Sequence, residues 1–259
     1  MNAGEAIMSY AERYVAFVDI LGFKEIIRQS EHGGRMFEAL VKSLTSMGDR
    51  NKDLESVLGE DFKVQNFSDA VVLSEKVTAR GLSHLLYEIQ ELALSLLPSG
   101  LLIRGGISKG SLYHEGSVVF GPAFLEAYRL ESSVASVPRI VLTREVYSDV
   151  VQYSNDDDRW KLDFDSDLRY SEDGPVHVHV LKRFQSLNLH EPTIEFLNSD
   201  EVIHAQFCQS ALQSLIDQSM HEPRHFDKVK WFAIYWNGTV PRGANAPLKT
   251  VAFPYMSRP

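Results

Sequence analysis

Two aspartates stand out because of where they lie in the sequence. Asp19 is the acid within the apolar run YVAFVDILGF, and Asp69 follows fifty positions later between two short apolar stretches. A carboxylate in an apolar run is costly to desolvate unless a cation or hydrogen-bond donors meet it. Two carboxylates at one edge of a sheet are typical ligands of Mg²⁺ or Mn²⁺, which are bound by one or two acids and by phosphate oxygens. The pair therefore predicts a divalent-cation site, and the alternative is that each acid only caps a turn.

The flanking segments supply the elements that would bring the two acids together. Residues 14–23 are predicted to form a buried strand that ends in a turn after Asp19. Residues 61–75 have two apolar halves around Ser68 and Asp69, which is the pattern of two antiparallel strands joined by a tight turn. If this hairpin pairs with the first strand, the two carboxylates face each other at one sheet edge.

Helices and further strands alternate along the rest of the chain. Helices are predicted over 24–50 (a pair interrupted by two glycines), 78–97, 122–134, 199–220 and 223–236, strands over 101–107, 117–120, 139–142 and 176–180, and acidic loops over 155–158 and 163–173. This order predicts an α+β fold, a ferredoxin-like core whose antiparallel sheet is covered by helices on one face. Residues 1–185 are predicted to form this domain, and 186–259 a helical C-terminal extension packed on it.

Composition narrows the class of partner and the compartment. The net charge of −9 argues against a nucleic-acid or anionic-membrane surface, because phosphate backbones are bound by concentrated Lys and Arg. The single cysteine, Cys208, excludes an internal disulfide and a thiolate metal site. The sequence has no apolar run of the ~20 residues that a membrane span needs, and acids occupy the place of a signal peptide's basic region. We expect a cytoplasmic protein.

Four segments in combination point to a known family. FVDILGF, FSDAVVLS, IRGGISKG and FGPAFLEAYRLE, in this order, resemble the catalytic domain of the class III nucleotidyl cyclases. The resemblance is closest to the pyrimidine cyclases of bacterial Pycsar anti-phage defence, and it covers roughly residues 14–181. It implies the class III cyclase core as the fold and cyclisation of a nucleoside triphosphate as the activity.

The resemblance assigns the metal and triphosphate positions residue by residue. The two metal acids of the family fall on Asp19 and Asp69, and the backbone carbonyl that completes the second metal falls on Ile20, so two Mn²⁺ or Mg²⁺ ions are implied per site. The turn Leu21, Gly22 and Phe23 leads into a helix N-terminus, whose free N–H groups suit a triphosphate.

Two arginines match family positions that neutralise phosphate charge. Arg104 matches the arginine on the β- and γ-phosphates, and Arg129 matches the one that stabilises charge on the α-phosphate in the transition state. Taken alone, either arginine is better explained as a surface or structural ion pair. In the family the site lies at a head-to-tail dimer interface with Arg129 supplied by the second subunit, so a homodimer is implied.

Three positions depart from the better-known family pattern. The asparagine that orients the ribose is replaced by Leu125, and the base-reading lysine and aspartate of purine cyclases are replaced by Gln65 and Val118. A glutamine amide can pair with uracil, cytosine or adenine, so Gln65 does not choose the base. The pyrimidine follows from the family branch alone, with uridine placed ahead of cytidine.

The leading hypothesis is a two-metal uridylate cyclase that converts UTP to 3′,5′-cyclic UMP and pyrophosphate, a messenger that acts on a separate effector protein in anti-phage defence. One alternative is a cytidylate cyclase. Another is a cyclase-like module that binds a nucleotide without turnover. Leu125 favours this alternative, whereas the retention of two acids with a high desolvation cost argues against it. A palm-type nucleotidyltransferase would share the acids but lack the AYRLE helix.

Two further groups of residues are predicted to be structural. The aromatic residues of KVKWFAIYWN near the C-terminus have helical spacing, which is more typical of packing than of a ligand site. The histidines near predicted strands match no metal-site spacing and are predicted to be core or solvated residues: His114, His177 and His179.

Overall fold

The computed structural model describes most of the chain, and the residues it leaves out lie mainly between 24 and 60 and after 155. The described residues are 9–23, 27–28, 34, 37–38, 41–42, 44–45, 61–155, 164–172, 174–185, 187, 200–220, 222–241 and 248. Residues 27–28, 37–38, 41–42 and 44–45 are helical, and the rest of the helix pair predicted over 24–50, apart from Gly34, lies outside the described residues.

Four strands form the antiparallel half of the central sheet. They are β1 (Ala11–Leu21), β2 (Lys63–Phe67), β3 (Ala70–Lys76) and β4 (Leu102–Glu115). Their order across the sheet is β2–β3–β1–β4, and every neighbouring pair is antiparallel. These are the order and directions of a ferredoxin-like core, so the predicted α+β fold is confirmed.

Four short strands extend this core. They are β5 (Val118–Phe120), β6 (Ile140–Leu142), β7 (Leu168–Tyr170) and β8 (Val176–Val178). β5 forms a hairpin with β4, while β6 pairs with β4 in parallel and continues the sheet through β8 to β7. The sheet is therefore mixed rather than wholly antiparallel. β7 lies in a stretch predicted to be a loop, because three residues are too few to show a strand period.

Seven helices of four or more residues lie within the described part of the chain. They are α1 (Ala79–Leu96), α2 (Pro122–Ser133), α3 (Arg144–Asn155), α4 (Phe164–Asp167), α5 (Lys182–Gln185), α6 (Asp200–Ser219) and α7 (Pro223–Thr239). The N-cap of α1 is Thr78, whose hydroxyl accepts from the Gly81 N–H, and Pro98 follows in a 3₁₀ turn. α3 was not predicted from the sequence, whereas α2 begins at Pro122, as predicted, and Pro is favoured at a first helical position.

The helices cover both faces of the sheet, which differs from the predicted single face. Alternate residues of β1, from Tyr14 to Ile20, join a large buried cluster with α1, α6 and α7, while Val15 and Phe17 point the other way and pack under α2. Gly106 of β4 admits α2, because a Cβ there would lie 2.4 Å from the Leu130 Cβ. None of the helices within the described residues is long and apolar enough to cross a membrane.

Candidate active site

The β2–β3 turn delivers Asp69 to the end of β1 that carries Asp19. In the β1–β3 register, Asp19 lies opposite Ala70, the residue that follows Asp69. The Ile20 N–H donates to the Asp69 carbonyl oxygen at 2.8 Å, which ties the turn to β1. The structure therefore brings the two acids to one end of the sheet on neighbouring segments. Their role as metal ligands stays a prediction.

The backbone at this turn is constrained. Ser68 has a φ of 52° and is the one non-glycine residue with positive φ among the described residues. An L-residue in this left-handed region costs about 1–2 kcal/mol. The hairpin thus holds Asp69 at the site in a conformation that the chain would not adopt freely.

The carbonyl of Ile20 faces the same side as its N–H. In an antiparallel pair the two backbone groups of one residue point to the same neighbour. Because the Ile20 N–H donates to Asp69, the Ile20 carbonyl is also directed towards the Asp69 turn. This orientation fits the position predicted for it beside the two carboxylates.

Arg104 faces Asp19 across the β1–β4 pair and bridges two acids. Its Nε donates to Asp19 Oδ2 at 3.0 Å, and its Nη2 lies 2.5 Å from Glu131 Oε1. The side chains of Arg104 and Asp19 are about a quarter and a fifth exposed, whereas that of Glu131 is 5% exposed. Instead of standing free for a phosphate, Arg104 is held between two carboxylates in this structure.

Glu131 is the site residue that the sequence analysis did not single out. Burial raises the pKa of its carboxyl above the ordinary value; Arg104 opposes that rise and Asp19 adds to it. The available signal was its position at the end of the AYRLE segment, two residues after Arg129. That spacing turns Glu131 towards the sheet and Arg129 away from it.

Arg129 lies on the outer side of α2, away from the Arg104 cluster, which we define as Arg104, Asp19 and Glu131. Its Nε and Nη2 donate to the two carboxylate oxygens of Glu126 at 2.8 and 2.7 Å. This bidentate pair lowers the pKa of the Glu126 carboxyl. Arg129 is exposed. Within one chain it has no place in the Arg104 cluster, so its predicted role depends on a second subunit.

The predicted triphosphate turn is described only at its start. Leu21 ends β1, Gly22 has a φ of 79°, and Phe23 is helical. Residues 24–26 lie outside the described residues, so the predicted phosphate site at this helix N-terminus stays a prediction.

Gln65 lies on the same face of the sheet as Asp19. It is half-buried on β2 and faces Val72 of β3, which in turn faces Phe17 of β1. At 4.8 Å per strand and 3.3 Å per residue, this places the Gln65 backbone about 12 Å from that of Asp19. Its amide donates to the Asn66 carbonyl at 3.4 Å.

Val118 and Leu125 lie on exposed surface. Val118 pairs with Glu115 at the far end of β4, and Gln65 is level with Gly106 nearer its start, so the two predicted base-reading positions are about 30 Å apart along the strand. They can serve one base only if Val118 comes from a second copy of the chain. Leu125 is 64% exposed.

The residues at the Asp69 turn fit a hard divalent cation. Asp19, Asp69 and the Ile20 carbonyl offer oxygen ligands only, which suit Mg²⁺ or Mn²⁺. No group of three or more His, Cys, Asp or Glu side chains in the described part of the chain is arranged to hold a metal by itself. The remaining coordination positions would therefore fall to water or phosphate oxygens. Arg104 bonds one oxygen of Asp19, Oδ2, and the carboxylate has a second.

The three histidines and the C-terminal aromatic residues are structural, as predicted. His114, His177 and His179 are at most 3% exposed, and burial lowers the pKa of His179 to about 4. His179 Nδ1 lies 2.5 Å from the hydroxyl of Tyr235 on α7, and Trp236 is buried in the main cluster.

Comparisons of this chain with known proteins found matches among solved structures only. No protein-family model matches the chain, and no curated protein does. The adenylyl cyclase CyaB from P. aeruginosa is 18% identical, with 65% of this chain and 92% of that chain covered and a TM-score of 0.38. The dimeric guanylyl cyclase domain of the RhoGC fusion protein from the fungus Blastocladiella emersonii is 15% identical, with 65% and 93% covered and a TM-score of 0.42.

A third solved structure is described as a class III adenylyl cyclase-like ATP-binding protein from Pseudomonas aeruginosa. It is 15% identical, with 60% of this chain and 39% of that chain covered and a TM-score of 0.35. These identities and scores are low. The function of this chain must therefore be argued from its own residues and their geometry.

Proposed function

We propose that the protein is a nucleotidyl cyclase that converts UTP to 3′,5′-cyclic UMP and pyrophosphate, as the messenger-producing enzyme of a bacterial anti-phage system. The observation that carries the proposal is the meeting of Asp19 and Asp69 at one end of β1, with Arg104 facing Asp19. Four sequence segments that together resemble the class III cyclases contain these residues. The cyclic product would act on a separate effector protein.

In this proposal each residue has a defined task. Asp19, Asp69 and the carbonyl of Ile20 hold two divalent cations. When bound, two Mg²⁺ or Mn²⁺ ions supply Lewis-acid activation of the ribose 3′-hydroxyl and neutralise phosphate charge. Arg104 binds the β- and γ-phosphates once it leaves Asp19, and the helix that starts near Phe23 offers backbone N–H groups to the triphosphate.

A second copy of the chain supplies the residue that stabilises charge on the α-phosphate. Arg129 is exposed on α2 and paired with Glu126 by a contact that solvent can replace, so it is available to a partner's site. Guanidinium groups stabilise the charge that develops on a transferred phosphoryl group. We therefore propose a head-to-tail homodimer in which Arg129 and Val118 complete the partner's site.

Gln65 is proposed to contact the base, and the choice of uracil follows from the resemblance to the pyrimidine cyclases. Its amide is half-buried on the face of the sheet that carries Asp19. An amide can donate to O4 and accept from N3–H of uracil, and in the reverse orientation it pairs with cytosine. CTP is therefore the alternative substrate.

We take residues 1–185 as the catalytic domain and 186–259 as a helical extension packed on it. Residues of α6 and α7, among them Cys208 and Trp236, belong to the same buried cluster as the inward residues of β1. This shared core supports an extension that folds against the catalytic domain.

The test is incubation of the protein with each of the four nucleoside triphosphates and Mn²⁺ or Mg²⁺, followed by mass analysis of the products. Cyclic UMP from UTP supports the proposal, and cyclic CMP from CTP would move the assignment to cytidine. A dinucleotide product would indicate a palm-type nucleotidyltransferase instead. If no cyclic product forms from any of the four, the cyclase assignment fails.

A second candidate function is nucleotide binding without turnover. Two observations favour it: an exposed leucine, Leu125, stands where the family has the ribose-orienting asparagine, and Arg104 is engaged by Asp19 and Glu131. Calorimetric binding of UTP with no product in the same sample would support this function.

A further inference from the structure

Glu131 is a buried acid near the C-terminal end of α2, next to the buried Leu130. Its neighbours Arg129, Ser132 and Ser133 are exposed, while Glu131 is 4% exposed. A buried carboxylate needs a cation or hydrogen-bond donors. Its cation is Arg104, with Nη2 2.5 Å from Oε1.

Arg104 divides its guanidinium between two acids that differ in burial. Nε bonds Asp19, whose side chain is 19% exposed, and Nη2 contacts Glu131, whose side chain is 5% exposed. The Glu131 contact is shielded from water, whereas the Asp19 contact is partly exposed to it. Solvent or a competing cation therefore reaches Asp19 first.

The charges near Arg104 explain why its guanidinium contacts two acids. Asp19 and Asp69 act electrostatically on Glu131, and Arg104, which contacts both Asp19 and Glu131, acts in the opposite direction. Lys228 of α7 also acts on Glu131, so the C-terminal extension contributes to the field at this end of the sheet. A divalent cation at Asp19 would repel the adjacent guanidinium, which must then move off that carboxylate.

We propose that Glu131 is a positioning residue of the candidate active site: its buried carboxylate retains the Arg104 guanidinium when a divalent cation takes Asp19. The inference rests on the proposed function. Without the charge of Glu131, Asp19 becomes the one carboxylate that neutralises Arg104, and Arg104 competes with the cation for it. Glu131 acts through Arg104 and is not itself a metal ligand.

The experiment measures Mn²⁺ binding to the nucleotide-free protein by calorimetry and by electron paramagnetic resonance. Four proteins form a double-mutant cycle: wild type, Glu131→Gln, Arg104→Met and the double variant. Glu145→Gln on the exposed start of α3 is the control for loss of one negative charge. Circular dichroism checks that each variant is folded.

We expect Glu131→Gln to weaken Mn²⁺ binding about tenfold when Arg104 is present and less than about threefold in the Arg104→Met background, a coupling typical of residues in one salt-bridge network. Glu131→Asp, which keeps the charge, should restore most of the affinity, and Glu145→Gln should leave it unchanged. If Arg104→Met fails to fold, the uncharged Arg104→Gln takes its place in the cycle.

Three outcomes overturn the inference. An equal loss in both backgrounds would make Glu131 a direct ligand, and an unchanged affinity with lowered thermal stability would make it a packing residue. If wild type binds no Mn²⁺ at millimolar concentration, Asp19 holds no cation in the free protein and the inference also fails. None of these readouts uses turnover, so absence of cyclic product overturns the proposed function separately.

Discussion

Strand β1 carries an arginine cluster near each of its ends, and the two differ in how the arginine is held. One is the Arg104 cluster at the candidate site. The other, the Arg13 cluster, consists of Arg13, Asp61, Ser74 and His114.

Arg13 is held mainly by acceptors other than carboxylates. Its side chain is 4% exposed; Nε donates to Ser74 Oγ at 2.9 Å and Nη1 to Asp61 Oδ2 at 2.6 Å. Nη2 donates to the backbone carbonyls of Ser74 and Asp61. Two of these acceptors are backbone carbonyls, and that of Ser74 cannot move away without disrupting β3. Arg13 therefore fastens the segment before β2 to β3.

Arg104 is held by side-chain carboxylates and is about a quarter exposed. Carboxylate side chains can rotate away or accept a proton, which a backbone carbonyl in a sheet cannot do. Both arginines form ion pairs, so an ion pair alone does not distinguish them. Burial and the type of acceptor distinguish the structural Arg13 from Arg104, which we propose a ligand can recruit.

The largest effect is expected at the Arg104 end, from Asp69→Ala. Turnover of UTP should fall about a thousandfold or more, because even a single transition-state donor is worth roughly 10²–10³ in rate. Folding should persist, since the contact that Asp69 makes with Ile20 uses its backbone carbonyl. Product mass and circular dichroism check the two halves. Asn66→Ala, an exposed change in the same hairpin, is the control, and retained activity in Asp69→Ala would remove the metal-ligand assignment.

The Arg13 end should respond to mutation in stability instead. Arg13→Met leaves Ser74 and Asp61 acceptors without their donor and is expected to lower the free energy of unfolding by about 3 kcal/mol. Urea denaturation measures it. Lys63→Met, which removes a more exposed ion pair with Glu115, should lower it by less than about 1 kcal/mol.

Arg104→Met tests the contrast between the two clusters directly. In this variant water can reach the partly exposed Asp19, and the buried Glu131 can take up a proton, so the loss of stability should be less than half that of Arg13→Met. Equal losses in the two variants would contradict the distinction between a fixed and a recruitable arginine.

A pH dependence should also distinguish the Arg13 cluster. His114 Nδ1 lies 2.8 Å from Ser74 Oγ, and burial, reinforced by the charges of Arg13 and Lys63, lowers the pKa of His114 to about 4. Glu115 and Asp61 act in the opposite direction. The folded protein therefore binds this proton more weakly than the unfolded chain, whose histidine pKa is about 6.5. Stability from this group is complete above about pH 6.5 and is lost as the pH falls towards 4.

Between pH 7 and pH 5 this single histidine should remove about 2 kcal/mol from the free energy of unfolding. His114→Asn should reduce the pH dependence by that amount in urea titrations at the two pH values. An unchanged pH dependence in the variant would show that His114 does not stay neutral in the folded protein.

Sequence patterns predicted the parts of this fold that repeat a period or carry a turn residue. The apolar run of β1, the turn at Ser68 and Asp69, and the Pro at the start of α2 were sufficient to place those elements. β4 was predicted too short, at 101–107, because its glycines resemble loop signals, whereas Gly106 is there to admit α2.

Only those site residues that are unusual in their own sequence context could be predicted. Asp19 could be recognised because an acid in an apolar run is costly. Glu131 could not, since it lies in a polar helix segment and its burial depends on how α2 crosses the sheet. The engagement of Arg104 by two acids is likewise a tertiary fact, which depends on the pairing of β1 with β4 and on the position of α2.

The smallest effect is expected at Ser68, a residue with a strained backbone at the end of β1 where the Arg104 cluster lies. Ser68→Gly removes a left-handed L-residue at an exposed position but adds freedom to the unfolded chain, so a net gain of about 0.5 kcal/mol in stability is expected. Turnover should fall, by less than about tenfold, because a freer turn holds the Asp69 carboxylate less firmly. Ser68→Asn is the matched control: asparagine tolerates the same φ and should keep the turn and the activity. A loss of stability in Ser68→Gly, measured by urea denaturation, would show that the turn is not strained and that the two ends of β1 differ only in how their arginines are held.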